Sequence, residues 1–171
     1  NASGWVLEAG SALSGNDNTD ADPEVLVAIG DLSTSIGAAD ITEVEMVTTT
    51  ADKSEGFTIS VRVRYNEPVD VVTTGGTPTL AVTNSNAGSG SGRGPHSLSY
   101  ASGTGTNELI FSLAIAAANA ATNADDVLSV GAQTIALNSG TIKDASGTAS
   151  DAALVISGAV GTAAGSVTVT A

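Results

Sequence analysis

Apolar and polar residues alternate most cleanly in "FTISVRVRY" (57–65). Phe57, Ile59, Val61, Val63 and Tyr65 fall on one side, Thr58, Ser60, Arg62 and Arg64 on the other. A period of two is that of a strand with one buried and one wet face, the usual state of an antiparallel sheet. Less regular runs of the same kind are "ITEVEMV" (41–47), "TPTLAVTN" (77–84), "DDVLSV" (125–130), "QTIALNSGTIKD" (133–144), "DAALVISG" (151–158) and "GSVTVTA" (165–171). "SLSY" (97–100) and "ELIFSLAI" (108–115) flank "ASGTGTN", which predicts a hairpin. Turn signals separate these runs every 8–12 residues or so, the spacing of a β-sandwich. Only the alanine-rich residues 114–121 suggest a helix, of one or two turns.

The alternation of 57–65 runs on into Pro68, which has no N–H to give a ladder. Proline is found in sheets at edges, strand starts or bulges. "NEPV" (66–69) is therefore predicted to mark where the strand ends or changes sheets, and "GGTP" (75–78) to turn the chain into the next strand.

Residues 1–39 differ from the rest. "SGNDNTDADPE" (14–24) is a polar acidic loop between "WVLEAG" and "EVLVAIGDL", each apolar enough for a short strand. We expect an N-terminal extended arm or accessory hairpin over 1–39, with Trp5 anchoring it to its own domain or to a neighbouring subunit. The domain proper follows over 40–171. The first ten residues have neither the basic region nor the apolar core of a secretion signal, although a cleaved one could precede them.

The net charge of −13, with five Lys plus Arg in 171 residues, changes what partners are expected. Binding nucleic acid requires a basic surface that displaces phosphate counterions, and an anionic membrane repels an acidic one. Protein partners are left, with a homo-oligomer among them. The absence of Cys removes disulfides, thiolate metal ligands and thiol nucleophiles.

Candidate chemistry is sparse. His96, the only His, follows "GSGSGRGP" and is expected to be exposed and solvated, with no local partner for a Ser-His-Asp arrangement. Asp17, Asn18, Asp20 and Asp22 alternate as calcium ligands do, yet Pro23 and Ala28 stand near the positions of the turn glycine and distal acid. A solvated acidic loop is the simpler reading. Asp125, Asp126 and Asp144 are also possible calcium ligands, but capping of turns accounts for them equally. Glycines in "GSGSGRG" do not lead from strand to helix and lack a Lys-Ser/Thr ending, so they form a loop rather than a phosphate cradle. Arg62 and Arg64 are expected to pair with acids across strands, or to meet an acidic partner. No residue is assigned a catalytic, cofactor or metal role.

Taken together, "NEPV" (66–69), "GTPTL" (76–80), "YASGTGTNELIF" (100–111) and "LNSGTIKDASG" (137–147) resemble a bacterial immunoglobulin-like repeat over about residues 41–158. The stretch "AIAAANAATNADD" departs from the family pattern, the 86–95 loop is longer, and residues 1–39 have no counterpart. The resemblance implies an all-β, immunoglobulin-like antiparallel β-sandwich used as a spacer or binding module, with no catalytic residues to carry over. Two roles follow as expectations. One is a virion-surface structural protein, a capsid decoration, cement or tail-associated component, docked on a protein lattice through its arm and free of enzymatic activity. The other is a module of a bacterial cell-surface adhesin or extracellular scaffold, although only one copy of the repeat is present.

Overall fold

In the computed structural model, the described residues are 3–7, 24–29, 38–86, 94–118, 121–145 and 149–171. The chain divides into two compact units, Asn1–Ile36 and Gly37–Ala171. In the first, β1 (Ser3–Leu7) and β2 (Glu24–Ile29) form an antiparallel two-stranded sheet, with a register shift between Trp5 and Val6.

The second unit is built from β3 (Ile41–Met46), β4 (Ala51–Asp52), β5 (Phe57–Val72), β6 (Thr79–Asn86), β7 (His96–Ser102), β8 (Thr106–Ile115), β9 (Asp126–Ser129), β10 (Gln133–Thr134), β11 (Thr141–Asp144), β12 (Val155–Ile156), the short helix α1 (Gly158–Ala163) and β13 (Ser166–Thr170). Among the described residues, one nine-stranded sheet runs β11-β5-β8-β7-β6-β9-β13-β4, with β3 beside β5. All its pairings are antiparallel except β13 with β4. β10 and β12 form a separate pair.

The sheet curls because β6 serves two neighbours: Thr79 to Val82 pair with β7, and Thr83 to Asn86 with β9. Strands at both ends of the order thus cover one core, made mainly of Val, Leu and Ile with Phe111 and Tyr65 as its largest side chains. The strict alternation of Ile59, Val61, Val63 and Tyr65 places all four inward, as expected of one buried face.

Pro68 does not end its strand. β5 passes through it unbroken, and the inward residues Tyr65, Glu67 and Val69 keep their alternation with outward Asn66, Pro68 and Asp70. What changes is the partner. Between the pairs Arg64–Glu108 and Val69–Thr106, β5 advances five residues while β8 advances two. Within this bulge no ladder bond to β8 is required of residue 68, so the missing N–H costs nothing. Beyond it β11 pairs with residues 69–72, and the β7–β8 turn tucks in: the Gly105 N–H donates to the Val69 carbonyl (2.8 Å) and Thr104 Oγ1 accepts from the Val71 N–H (2.9 Å).

One further expectation is corrected. Ala114 and Ile115 belong to β8, and the described residues beyond them form a turn, not a helix. The helix is α1, capped by Ser157, whose Oγ accepts from the Val160 N–H (3.3 Å), and fixed by tertiary contact, with the Ala164 carbonyl accepting from Met46 N–H (2.8 Å). The C-terminal strand, β13, is held between β9 and β4 of its own sheet. Two of the outer strands receive further contacts: α1's end meets β3, and the Ala152 N–H donates to the Ile142 carbonyl on β11 (3.1 Å).

Candidate functional site

The side chains singled out by sequence fall into three places. Asp17, Asn18, Asp20, Asp22 and the glycine-serine loop 87–93 lie outside the described residues. Trp5 stands in β1, opposite Val27.

Arg62 and Arg64 project from the outer face of β5 between β3 and β8. Arg64 pairs with Glu43 (2.6 Å) and Glu108 (2.7 Å), with its Nε also donating to Glu108 (3.0 Å). Arg62 pairs with Glu45 and lies 3.7 Å from Glu108. Registers that set Glu45 opposite Arg62, and Glu43 and Glu108 opposite Arg64, build this ladder. Hydrogen bonding from Arg64 holds the Glu108 carboxyl below its usual range, and Glu108 in turn raises Arg64. Three carboxylates on two guanidiniums leave no positive spot for an acidic partner here.

The next part of the outer face is different. On β7, β6, β9 and β13 every outward position among the described residues is Ser, Thr, Ala or Val. Thr79 faces Ser99, Ala81 faces Ser97, and Thr83, Ser129 and Ser166 form a row beside Ser85, Val127 and Thr168. The hydroxyls of Thr83 and Ser129 bond to each other (2.9 Å). On both sides of the curl at β6 the outward side chains are short and uncharged.

The third place is inside. His96 is not in a solvated loop: it opens β7, points inward and is 6% exposed. The flexible-looking stretch before it ends sooner than expected, and His96, Leu98 and Tyr100 share the inward side of an alternating strand. Asn84 Nδ2 lies 3.3 Å from His96 Nε2 and donates to the Ala121 carbonyl at 2.9 Å. Asp126, fully buried, accepts from the Asn123 N–H at 2.7 Å. Burial lowers the pKa of His96, and the charge of Asp126 opposes that shift. Asn84 Oδ1, Thr122 Oγ1 and Asp126 Oδ1 are buried without a hydrogen-bond partner among the described residues.

The remaining acids do not converge. Asp125 is exposed while its neighbour Asp126 is buried, so the two do not face one point. Asp144 is buried on β11. No group of three or more His, Cys, Asp or Glu suited to a metal ion occurs among the described residues. A shallow groove between β3 and α1, lined by Thr42, Glu43, Val44, Val160 and Ala163, has Glu43 as its ionisable side chain, already held by Arg64. No helix among the described residues is long and apolar enough to cross a membrane. Compared with known proteins, the chain matches no family model, no curated protein and no solved structure.

Proposed function

We propose that the protein is a non-enzymatic structural component of a virion surface, a capsid decoration or tail-associated protein. In this reading its curled sheet is an immunoglobulin-like sandwich, and its first 39 residues dock it onto a protein lattice. The observation that carries the reading is the make-up of the β1–β2 pair. Trp5, Val6 and Leu7, and residues 25–29, are consecutive apolar residues rather than alternating ones. A two-stranded sheet alone is marginal in water, and an apolar run of this kind gains its stability from whatever covers it. A lattice of repeated subunits supplies such cover many times over, so weak single contacts add up through multivalency. The uncharged face of β7, β6, β9 and β13 supports the same role. There a chain of net charge −13 can approach a neighbour without setting carboxylates against carboxylates.

A second reading, an immunoglobulin-like module of a bacterial adhesin or extracellular scaffold, is favoured by the motifs between residues 66 and 147 that resemble such repeats. Peptide mass spectrometry on density-purified virus particles and on washed cell envelopes of the source culture separates the two. Peptides in the particles at a fixed ratio to the major capsid protein support the virion role. Peptides confined to envelopes, within a longer chain of repeats, overturn it.

A further inference from the structure

The inward cluster at the start of β7 joins two segments that the sheet itself does not join. Residues 94–96 lead into β7, and residues 121–125 lead into β9. Asn84, on β6 between those strands, touches both. Its amide nitrogen faces His96 Nε2 at 3.3 Å and donates to the Ala121 carbonyl at 2.9 Å. Gly94 lies close as well, since a methyl carbon there would meet the Asn84 Cβ at 3.1 Å.

The chemistry of this link depends on one proton. An amide nitrogen donates and does not accept, so this contact calls for a bare Nε2, that of a neutral imidazole protonated on Nδ1. An imidazolium carries hydrogens on both nitrogens, and Nε2–H would then point at the Asn84 NH₂. Asn84 can accept that hydrogen only by turning its amide to present Oδ1, which has no partner among the described residues. Turning withdraws Nδ2 from the Ala121 carbonyl. Asp126 of β9 also acts on the ring, and its negative charge favours the imidazolium. Thr122 and Asn84 add neutral side chains to the cluster. Protonation in this way undoes the bridge.

We propose that His96 is an acid-sensitive latch, whose protonation releases the Asn84 bridge between the segment entering β7 and the segment entering β9. Burial disfavours the charged ring and so supports the direction. A His whose proton affinity falls on folding gives stability that is whole above the ordinary imidazole pKa of about 6.5 and is lost as pH falls below it. Solvated carboxylates titrate near about pH 4, below this window, and His96→Gln isolates the share that belongs to the ring.

Because the chain has one His, its ring gives one unambiguous set of resonances. Long-range proton–nitrogen spectra of the full chain at about pH 7.5 are expected to show Nε2 bare and Nδ1 protonated, with a titration midpoint below the ordinary value. Thermal unfolding between about pH 7.5 and about pH 5 is expected to show a several-fold loss of folded-state preference. In His96→Gln, whose side-chain carbonyl still accepts from Asn84 but does not titrate, that loss is expected to vanish. A protonated Nε2 at the higher pH, a midpoint at or above the ordinary value, or an unchanged pH slope in His96→Gln overturns the latch. If the variant fails to fold, the tautomer and midpoint of the unmodified protein decide alone.

Discussion

Gly76 lies directly against the carbonyl oxygen of Asn138: a methyl carbon on Gly76 would sit 1.7 Å from it. Gly75 has the same relation to the Ser139 carbonyl, at 2.3 Å. The two turns, after β5 and before β11, are stacked backbone on backbone, and Asn138 Nδ2 ties them by donating to the Thr77 carbonyl and Thr79 Oγ1, both at 3.0 Å. The double glycine is thus a matter of close approach. Gly76→Ala should destabilise the protein by about 3 kcal/mol, the scale of overpacking. Gly158→Ala, where an added methyl meets nothing within 4 Å, should stay within about 0.5 kcal/mol. Equal midpoints for the two variants in urea unfolding would refute the stacking account.

Phe111 is the other point of high sensitivity. It is fully buried and meets Tyr100 edge-on, with ring centroids 6.1 Å apart at 74°. A chain with 3% aromatic residues fills its core chiefly with aliphatic side chains, so few neighbours can swing in to fill the space of a lost ring. Phe111→Ala should cost about 4 kcal/mol. A loss below about 1 kcal/mol in denaturant titration would mean that the site collapses freely.

Local period made β5 and its partners legible in the sequence, down to the outward positions of Arg62 and Arg64. His96 and Asp126 obey the same rule. Each stands in phase with apolar residues, His96 with Leu98 and Tyr100, Asp126 with Leu128, and a polar residue in an inward phase is a buried one. The glycine-rich stretch before His96 masked that phase. Pro68 pointed to a strand end or a change of sheet, yet β5 does neither there; the bulge that accommodates it depends on what β8 and β11 do far along the chain. α1 was not legible at all: "GAVGTA" has two glycines and low helix propensity, and tertiary contact holds it. Nor does any local signal announce that β13 will pair in parallel with β4, more than a hundred residues earlier.

The charge ladder should answer to acid and salt. The Arg64 hydrogen bond keeps the Glu108 carboxyl below its ordinary 4.5, so the stability it gives is whole above that value and is lost as pH falls through the folded one. Arg64→Gln should therefore lose stability less steeply than the parent between about pH 5 and about pH 3, and the two curves should converge in about 1 M salt. Parallel acid limbs at low salt would show that the pair contributes nothing to folding.

Tyr65 gives the opposite limb. Its ring is buried in β5, and its hydroxyl donates to the Ala153 carbonyl at 3.1 Å, pinning the segment before β12 onto the core. Burial raises its pKa because the phenolate would lose its hydration. The folded state therefore holds a proton that the unfolded chain releases, and stability is whole below the ordinary tyrosine pKa of about 10 and declines as pH rises beyond it. Ultraviolet titration about one unit above that value should show Tyr65 still un-ionised in the folded chain and ionised after denaturation. Tyr65→Phe should cost about 1 kcal/mol near neutrality, the usual worth of one buried hydrogen bond whose acceptor is left behind. It should also flatten the alkaline loss. If the variant keeps the full alkaline decline, the proton lies on another group and burial of Tyr65 does not govern this limb.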